Sequence, residues 1–417
     1  MRFASFFLLS LLAAAQSGPR IQLSHTTEAL RGVSAVSRDV AWASGTHGTY
    51  LRTTDARRTW TPAQVPDATT LDFRAVVAFS ADEAFLMSAG PGDLSRIYHT
   101  TDAGQHWQLQ FANTNPKGFF DSMAFWDPKH GIVLGDPVPD ESGKLKFEVL
   151  LTDDGQTWHA IPPAQLPNAL EGEGAFAASN SCIAILSGTA VEERRGRVSG
   201  AVEQRSADAA GTAVEARRFS AASAAQNERA SAPDPNIWFA TGGKTARVFH
   251  SPDRGQTWQV FDTPILHGPE SAGIFSIAFR DPQHGVIAGG DYKHPNDDGP
   301  NLAFTNDGGK TWTLSDIKPQ AYFSAIAYDR KVNEAAAEQK AEQAAAEAKG
   351  KKLRTQPITP ERLFIIGQDF VFDLRPPSNP HRLSGNKKQP LAFNAASPYP
   401  EGGALIVGPK GTIVFFP

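Results

Sequence analysis

The sequence predicts an all-β fold, a single β-propeller of seven four-stranded blades, and three observations carry that prediction. A short segment that joins Asp to Trp occurs five times along the 417 residues. Its copies lie about 50 residues apart, with one double interval, and a period of that length is typical of propeller blades. Longer segments repeat as well, since "SMAFWDPKHGIVLGD" at 122–136 matches "SIAFRDPQHGVIAGGD" at 276–291. Each reads as strand, turn and strand, which is half a blade.

The short segment places Asp five residues before Trp in every copy. The pairs are Asp55 and Trp60, Asp102 and Trp107, Asp153 and Trp158, Asp253 and Trp258, and Asp307 and Trp312. An Asp side chain can accept backbone N–H groups across a tight turn, and glycine in the same turn tolerates positive φ. The Trp is expected to pack between blades. We therefore assign all ten residues a structural role.

The order of these segments divides the chain into blades. The predicted limits are about 30–63, 71–112, 118–162, 172–263, 272–316 and 321–390. The seventh blade has material for only three strands, in "FNAASPYPEGGALIVGPKGTIVFF" at 393–416. We expect "RIQLSHTT" at 20–27 to supply its fourth strand, because such a closure leaves no free edge in the ring. Six or eight blades are the alternatives at this stage.

Two polar segments interrupt the repeat. Residues 190–234 are mostly Ala, Ser and charged residues, and residues 331–352 are strong helix formers without an apolar stripe. We predict a disordered insertion in blade four and a helical or disordered one in blade six. Both follow the first strand of a blade, so both leave the same face of the disc. A docking element for a partner is the alternative interpretation.

The N-terminal residues predict export. Arg2 precedes an apolar run from Phe6 to Ala15, which is too short to span a bilayer and is followed by small residues. This pattern predicts a secretory signal peptide over 1–17, cut near Ala15 or Ser17, and a periplasmic or extracellular protein. A short membrane anchor is the alternative. Residues 18–417 then form the propeller.

Composition excludes or disfavours several functional classes. The formal net charge is −4, from 40 basic and 44 acidic residues, so no basic excess indicates a nucleic-acid partner. Cys182 is the only cysteine, which rules out an intrachain disulfide and dithiol chemistry. The chain has no G-x-G-x-x-G between a strand and a helix, so an oxidoreductase has little support and we expect no cofactor. We expect a monomer without a transmembrane span beyond the leader.

The five Asp-to-Trp segments resemble the Asp box, S/T-x-D-x-G-x-T-W, of the bacterial neuraminidase repeat. The layout is most similar to the photosystem II assembly and stability factor-like propellers of bacteria. That likeness rests on the boxes, on "LRGVSAVS" and "DFRAVVAFS", and on the closing "ALIVGPKGTIVFF". The resemblance implies that the boxes lie between the third and fourth strands of each blade, away from the functional face. The site is therefore expected on the opposite face.

Loops that join the second strand to the third, and one blade to the next, build that opposite face. The candidate catalytic residues there are Asp136, Asp291, Glu173 and Tyr292. The candidate ligand-binding residues are Arg31, Arg74, Phe119, Phe120, Glu171, Lys244, His294, Tyr322 and Asp369. Turn capping is the alternative role for the two aspartates, and pairing with carboxylates is the alternative for the two arginines. The spacing of Asp291, His294, Asp297 and Asp298 fits no standard calcium loop, so we expect no metal.

These candidates favour a non-catalytic scaffold that binds or assembles a protein or glycan in the cell envelope. A glycosidase, sialidase-like or related, is the alternative, because glycoside hydrolysis uses two carboxylates or, in sialidases, a tyrosine nucleophile. The resemblance to sialidases implies three converging arginines for that activity. Only Arg31 and Arg74 are suitably placed in the sequence.

Overall fold

The computed structural model describes residues 18–186, 234–316, 321–333, 335–336, 339, 362–367, 370–374, 381–384 and 392–417. These residues form seven antiparallel sheets, one for each blade, which confirms the all-β, seven-bladed prediction. In blades one to six the four strands, here named A to D, follow one another in chain order, and in blade seven strand D comes from the N-terminal residues. Short 3₁₀ turns occur at Gly92–Leu94 and Pro163–Gln165.

The first three blades follow the predicted limits closely. Blade one comprises Leu30–Ala35, Ala41–Gly45, Thr49–Thr53 and Thr61–Gln64. Blade two comprises Asp72–Ala78, Ala84–Ala89, Arg96–Thr100 and Gln108–Ala112. Blade three comprises Phe120–Asp127, His130–Pro139, Leu145–Thr152 and His159–Ala160. Strand B is buried along its whole length in blades one and two, because it is packed between neighbouring blades on both faces.

Blade four begins later than predicted. Its strands are Ile183–Ile185, Ile237–Ala240, Arg247–Ser251 and Gln259–Asp262. The preceding residues instead place Glu173–Gly174 against Gly242–Gly243, which extends the sheet of blade five. Gly242 pairs with Gly273 so closely that a Cβ on Gly273 would lie 2.3 Å from the Gly242 Cα. Glycine at both positions allows this backbone approach.

Blades five to seven complete the ring. Blade five comprises Ala272–Phe279, Gly285–Asp291, Leu302–Thr305 and Thr313–Leu314. Blade six comprises Phe323–Tyr328, Leu363–Gly367, Phe370–Leu374 and His381–Ser384. Blade seven comprises Ala395–Pro398, Ala404–Gly408 and Thr412–Phe416, and its fourth strand is Arg20–Gln22. Ile21 pairs with Val414 in antiparallel register, which confirms the predicted closure of the last blade by the N-terminal strand.

Seven hydrophobic clusters hold the blades together, and each lies between two adjacent blades. Side-chain hydrogen bonds between neighbouring A strands add to this packing. Ser34 Oγ accepts the Ala78 N–H at 3.0 Å, and Ser276 Oγ accepts the Ile326 N–H at 3.0 Å. The inner ring is therefore a rigid support for the loops above it.

Several sequence predictions fall outside the described residues. The signal peptide at 1–17 lies there, as does nearly all of the blade four insertion. In the blade six insertion residues 330–333 are helical, and most of the rest is outside the described part. Among the described residues, no helix has the length and apolar character that a bilayer crossing requires.

Candidate functional site

The A strands carry the residues that build the candidate site. They contact one another around the ring and so line the central channel. Five of them contain a β-bulge at the same position, which leaves one residue unpaired and redirects its side chain. The bulge residues are Arg31, Arg74, Asp121, Phe275 and Ser324. One short pattern thus delivers different side chains to one end of the channel.

A cavity of about 500 Å³ lies at this end of the channel, which we call the channel mouth. Its lining residues are Arg31, Arg74, Phe176, Ala177, Ala178, Phe275, Tyr292, Tyr322, Ser324, Phe393 and Asn394. They include four of the bulge residues and four of the residues predicted from the sequence. A cavity of this size suits a small ligand or a few side chains of a peptide.

One wall of the channel mouth is aromatic. Phe275 stacks on Phe176, with ring centroids 3.9 Å apart and an interplanar angle of 15°. Tyr322 meets Phe275 edge-on at 4.7 Å, and Tyr292 does so at 6.1 Å. The Tyr292 side chain stays half exposed. This wall offers flat apolar surface together with two phenol groups, which suits an aromatic or aliphatic group.

The opposite wall is cationic. Asp72 lies between two arginines, with Arg74 Nε 3.0 Å from one carboxylate oxygen and Arg31 Nε 3.5 Å from the other. Arg74 also donates to the Ala177 carbonyl at 2.9 Å, which anchors it to the loop before blade four. Arg31 Nε makes no hydrogen bond to the described residues. Two guanidinium groups against one carboxylate leave a surplus of positive charge beside the aromatic wall.

Three buried carboxyl groups lie behind Arg74. Burial, chiefly, raises the pKa of Asp121 well above its ordinary value, and the charges of Asp136 and Glu148 add to the increase while Arg74 opposes it. Burial also raises the pKa of Asp136 and of Glu148. Oδ2 of Asp121 is buried and has no hydrogen-bond partner among the described residues. Burial thus disfavours the charged form of all three groups.

The two predicted aspartates, Asp136 and Asp291, accept backbone hydrogen bonds. Asp136 accepts the Ala175 N–H at 3.0 Å. Asp291 accepts the Lys293 N–H and the His294 Nδ1–H, both at 2.9 Å. Burial opposes ionisation of Asp291, but these hydrogen bonds outweigh it and lower its pKa. Neither residue lines the channel mouth. Asp291 caps the turn after its own strand, which is the alternative role considered for it, whereas Asp136 binds the loop before blade four.

Glu173 links the loop before blade four to blade four itself through hydrogen bonds. Its side chain is fully buried. Arg247 Nε donates to one carboxylate oxygen at 3.0 Å and Arg247 Nη2 to the other, while Thr241 and the Leu170 N–H complete the set. No substrate can reach these oxygens, which argues against the catalytic role considered for Glu173.

The remaining predicted residues lie around the channel mouth or in the core. Phe120 is buried in the core between blades two and three, and Phe119 contributes its carbonyl to the Asp136 N–H. Lys244 pairs with the exposed Glu171 at 3.7 Å. Asp369 is outside the described residues. The other seven lining residues escaped prediction, namely Phe176, Ala177, Ala178, Phe275, Ser324, Phe393 and Asn394.

The Asp boxes lie at the turns between strands C and D, on the face opposite the channel mouth. Asp307 accepts the N–H groups of Lys310 and Thr311, at 3.1 and 3.0 Å, and the Thr311 hydroxyl at 2.6 Å. Equivalent bonds from Thr59 lower the pKa of Asp55 to about 2. Since these bonds are local, the boxes are structural turns.

Two boxes depart from the pattern for physical reasons. In blade three the sequence indicated Asp153, but Asp154 accepts the Thr157 N–H and hydroxyl, at 2.8 and 2.7 Å. The assignment of Asp153 is therefore wrong, because this turn is one residue shorter than the others. In blade one Arg57 replaces the box glycine at positive φ. Its guanidinium lies 4.2 Å from the centre of the Phe415 ring, so it binds blade one to blade seven.

Among the described residues, no group of three or more His, Cys, Asp or Glu side chains could hold a metal ion. Cys182 is buried, and burial raises the pKa of its thiol. The described site thus offers hydrogen bonds, guanidinium charge and aromatic surface, which are the means of non-covalent recognition.

The fold and the channel mouth define this protein as a seven-bladed β-propeller with a two-walled cavity at one end of its channel. The solved structure titled "YCF48 bound to D1 peptide" matches it with a TM-score of 0.55 and 14% identity, covering 95% of this chain and 96% of that one. The chain is thus similar in fold to a photosystem II assembly factor, as its Asp boxes predicted. No family profile matches the chain, and no curated protein matches it.

Two further propellers show how widely the fold is used. The WD40 propeller domain of Doa1 matches with a TM-score of 0.52 and 9% identity, over 95% of this chain and 96% of that one. A catalytically inactive virginiamycin B lyase from Staphylococcus aureus with quinupristin matches with a TM-score of 0.52 and 10% identity, covering 95% of this chain and 98% of that one. At such identities only the fold is shared, so function has to be argued from the site.

Proposed function

We propose that this protein is a non-catalytic scaffold that binds a partner protein through the channel mouth. The carrying observation is the opposition of the Arg31 and Arg74 guanidinium groups to the Phe275 ring across one cavity. This arrangement suits an extended peptide segment that presents a carboxylate to the arginines and an aromatic or aliphatic side chain to the rings. Arginine binds carboxylates in a planar, bidentate manner, which gives such recognition its direction.

The lining of the channel mouth favours binding over glycoside hydrolysis. A glycosidase of the usual kind needs two carboxyl groups at the scissile bond. The described lining residues include neither Asp nor Glu. For a sialidase-like reaction the nucleophile would be a tyrosine, but burial raises the pKa of Tyr322, which disfavours the phenolate. The structure titled "YCF48 bound to D1 peptide" adds a similar fold with a peptide ligand.

The peptide preference can be measured directly. We expect an array of synthetic octapeptides to select sequences that combine an acidic group with an aromatic residue. The double variant Arg31→Gln/Arg74→Gln should bind the selected peptide about 10- to 100-fold more weakly, since hydrogen bonds between charged groups contribute roughly 1.5–3 kcal/mol. Fluorescence anisotropy at two salt concentrations measures both affinity and its salt dependence.

Lys244→Gln is the matched control, because this exposed lysine pairs with Glu171 outside the cavity lining. Its affinity for the peptide should equal that of the wild type. A parallel glycan array tests the other partner class. Glycan binding without peptide selection, or equal loss in Lys244→Gln and the arginine variant, would contradict the proposal.

We further propose that the protein acts in the cell envelope after export. The support is the apolar segment from Phe6 to Ala15 behind Arg2. Expression of the full chain should yield a mature protein in the periplasm or medium, with an N-terminus close to Gly18. Cell fractionation and N-terminal sequencing provide the check. An uncleaved chain in the cytoplasm would overturn this part of the proposal.

A further inference from the structure

A second cavity lies between blades five and six on the Asp-box face, and we call it the blade five–six cavity. Its volume is about 360 Å³. It is lined by Arg280, His284, Gly285, Phe304, Thr305, Asn306, Tyr328, Leu363 and Leu374. Blade five supplies the first six of these residues and blade six the last three. The walls are largely apolar, and the rim is polar.

A comparison with five other blade interfaces explains why this cavity exists. In each of them the Trp of an Asp box packs into the cluster shared with the preceding blade. In blade three Trp158 meets Phe125, at the end of strand A, edge-on at 5.7 Å. In blade five Trp312 meets Phe279 in the same way at 6.1 Å. In these two blades the indole therefore lies beside an aromatic residue near the end of strand A.

Blade six has the aromatic residue but lacks the indole. Tyr328 occupies the position of Phe125 and Phe279 at the end of strand A, and it lines the cavity. The last Trp of the chain is Trp312, in blade five. The sequence also contains no Phe, Tyr or Trp at 329–363 or at 375–392. Neither stretch of sequence can therefore supply an aromatic ring in place of the missing indole.

The interface between blades six and seven also lacks a Trp, but other side chains occupy it. Arg362 is buried there and binds Asp329 and Asp373, while Asp329 also accepts the Gly403 N–H of blade seven at 3.0 Å. The Arg362 guanidinium lies 4.4 Å from the centre of the Phe364 ring. One Trp-free interface is thus closed by an ion-pair cluster, whereas the other retains a cavity.

We propose that the blade five–six cavity binds a small aromatic molecule of about the size of indole, which takes the place that a box tryptophan occupies at five other interfaces. Tyr328 would meet the ligand ring edge-on, as Phe279 meets Trp312. Leu363, Leu374 and Phe304 supply apolar contacts on the remaining sides. The rim residue Asn306 offers a hydrogen bond to a ring N–H. This site lies on the face opposite the channel mouth and is independent of the function proposed above.

Indole itself is the probe, and cyclohexanol is the non-aromatic comparison. Saturation-transfer NMR on the full chain should show saturable binding of indole and at least tenfold weaker binding of cyclohexanol. Carbon-13 labelling of the 6 tyrosines should show a shift of one resonance, assigned to Tyr328 by its loss in Tyr328→Phe. This readout uses the wild-type protein and does not depend on a blocking variant.

Asn306→Trp places an indole at the exposed rim of the cavity and should abolish binding of free indole. The matched control is Pro252→Trp, because Pro252 holds the same place in the Asp box of blade four and is equally exposed. That neighbouring interface already contains Trp312. Indole binding should survive in the control, and both variants should keep the peptide affinity of the channel mouth. No saturable binding to wild type, or binding unchanged by Asn306→Trp, would overturn the proposal.

Discussion

The Arg362→Ala variant is expected to lose about 3–5 kcal/mol of the free energy of unfolding, the range found when one partner of a buried ion pair is removed. Arg362 donates to both carboxylate oxygens of Asp373, at 3.1 and 2.9 Å, and to Asp329 at 3.1 Å. It also donates to the Pro417 carbonyl at 2.8 Å. Truncation removes the guanidinium group that both buried aspartates contact. Denaturant unfolding, with the midpoint and slope compared, measures the loss.

An exposed pair supplies the control for Arg362. Arg96 lies 3.3 Å from Asp93, whose side chain is 75% exposed. Such surface pairs contribute about 0–1 kcal/mol, so Arg96→Ala should change the unfolding midpoint little. Arg362→Lys keeps the charge but cannot make the bidentate contact to Asp373, and it should fall between the two alanine variants. Equal losses in both alanine variants would show that burial of the cluster does not matter.

The number of blades and the closure of the ring could be predicted because the chain repeats itself. Each Asp box marks the turn between one strand C and one strand D. The spacing between successive boxes leaves room for strands A and B. The C-terminal segment has only three strands of blade seven, so the N-terminal segment was predicted to supply the fourth. Ile21 indeed pairs with Val414. Blade four was placed less well, since Glu173–Gly174 joins the sheet of blade five. That pairing depends on the close approach of Gly242 to Gly273, which is a tertiary contact that no local sequence pattern predicts.

The candidate site was predicted only in part. The arginines and tyrosines of the channel mouth were found because they lie at or next to strand ends on the face opposite the Asp boxes. Phe275 was missed because "IFSI" reads as an ordinary strand, and its bulge appears only when the register with strand B is known. The useful signal was the recurrence of "LRGV", "FRAV", "FDSM", "IFSI" and "FSAI" at the start of the A strands. In each of them the second residue is the bulge residue.

The pKa shifts of individual carboxyl groups differ between an Asp box and the residues behind the channel mouth. Box aspartates such as Asp102 accept several hydrogen bonds, led by those of His106, which lower the pKa of Asp102 to about 2. Asp121 is buried with one oxygen unpaired, and its pKa moves upward. A stable turn favours the charged form, whereas the inner wall of the channel mouth favours the neutral form. The direction of the pKa shift thus separates Asp102 from Asp121, although both residues are aspartates.

Asp121→Asn is expected to stabilise the protein at neutral pH and to have little effect near pH 4. A carboxyl group whose pKa is higher in the folded than in the unfolded chain stabilises the fold at low pH. That contribution is lost as the pH rises from the unfolded value, near 3.9, through the folded one. Over this interval the cost of ionising Asp121 grows by about 1.4 kcal/mol per pH unit. The wild type should lose stability with rising pH, and the asparagine variant should lose less.

Asp102→Asn provides the opposite sign within the same chain. Its low pKa means that the fold gains stability as the pH rises above the folded value of about 2, and the variant loses that gain. As the pH rises from 4 to 8, the unfolding midpoint of Asp121→Asn should increase relative to wild type, whereas the deficit of Asp102→Asn should develop between about pH 2 and pH 5 and stay constant above that range. Because Asp136 and Glu148 face Asp121, removal of its charge should also ease their ionisation. A pH-independent difference for Asp121→Asn would mean that Asp121 has the same pKa in the folded and the unfolded chain, and would contradict the buried acidic wall behind Arg74.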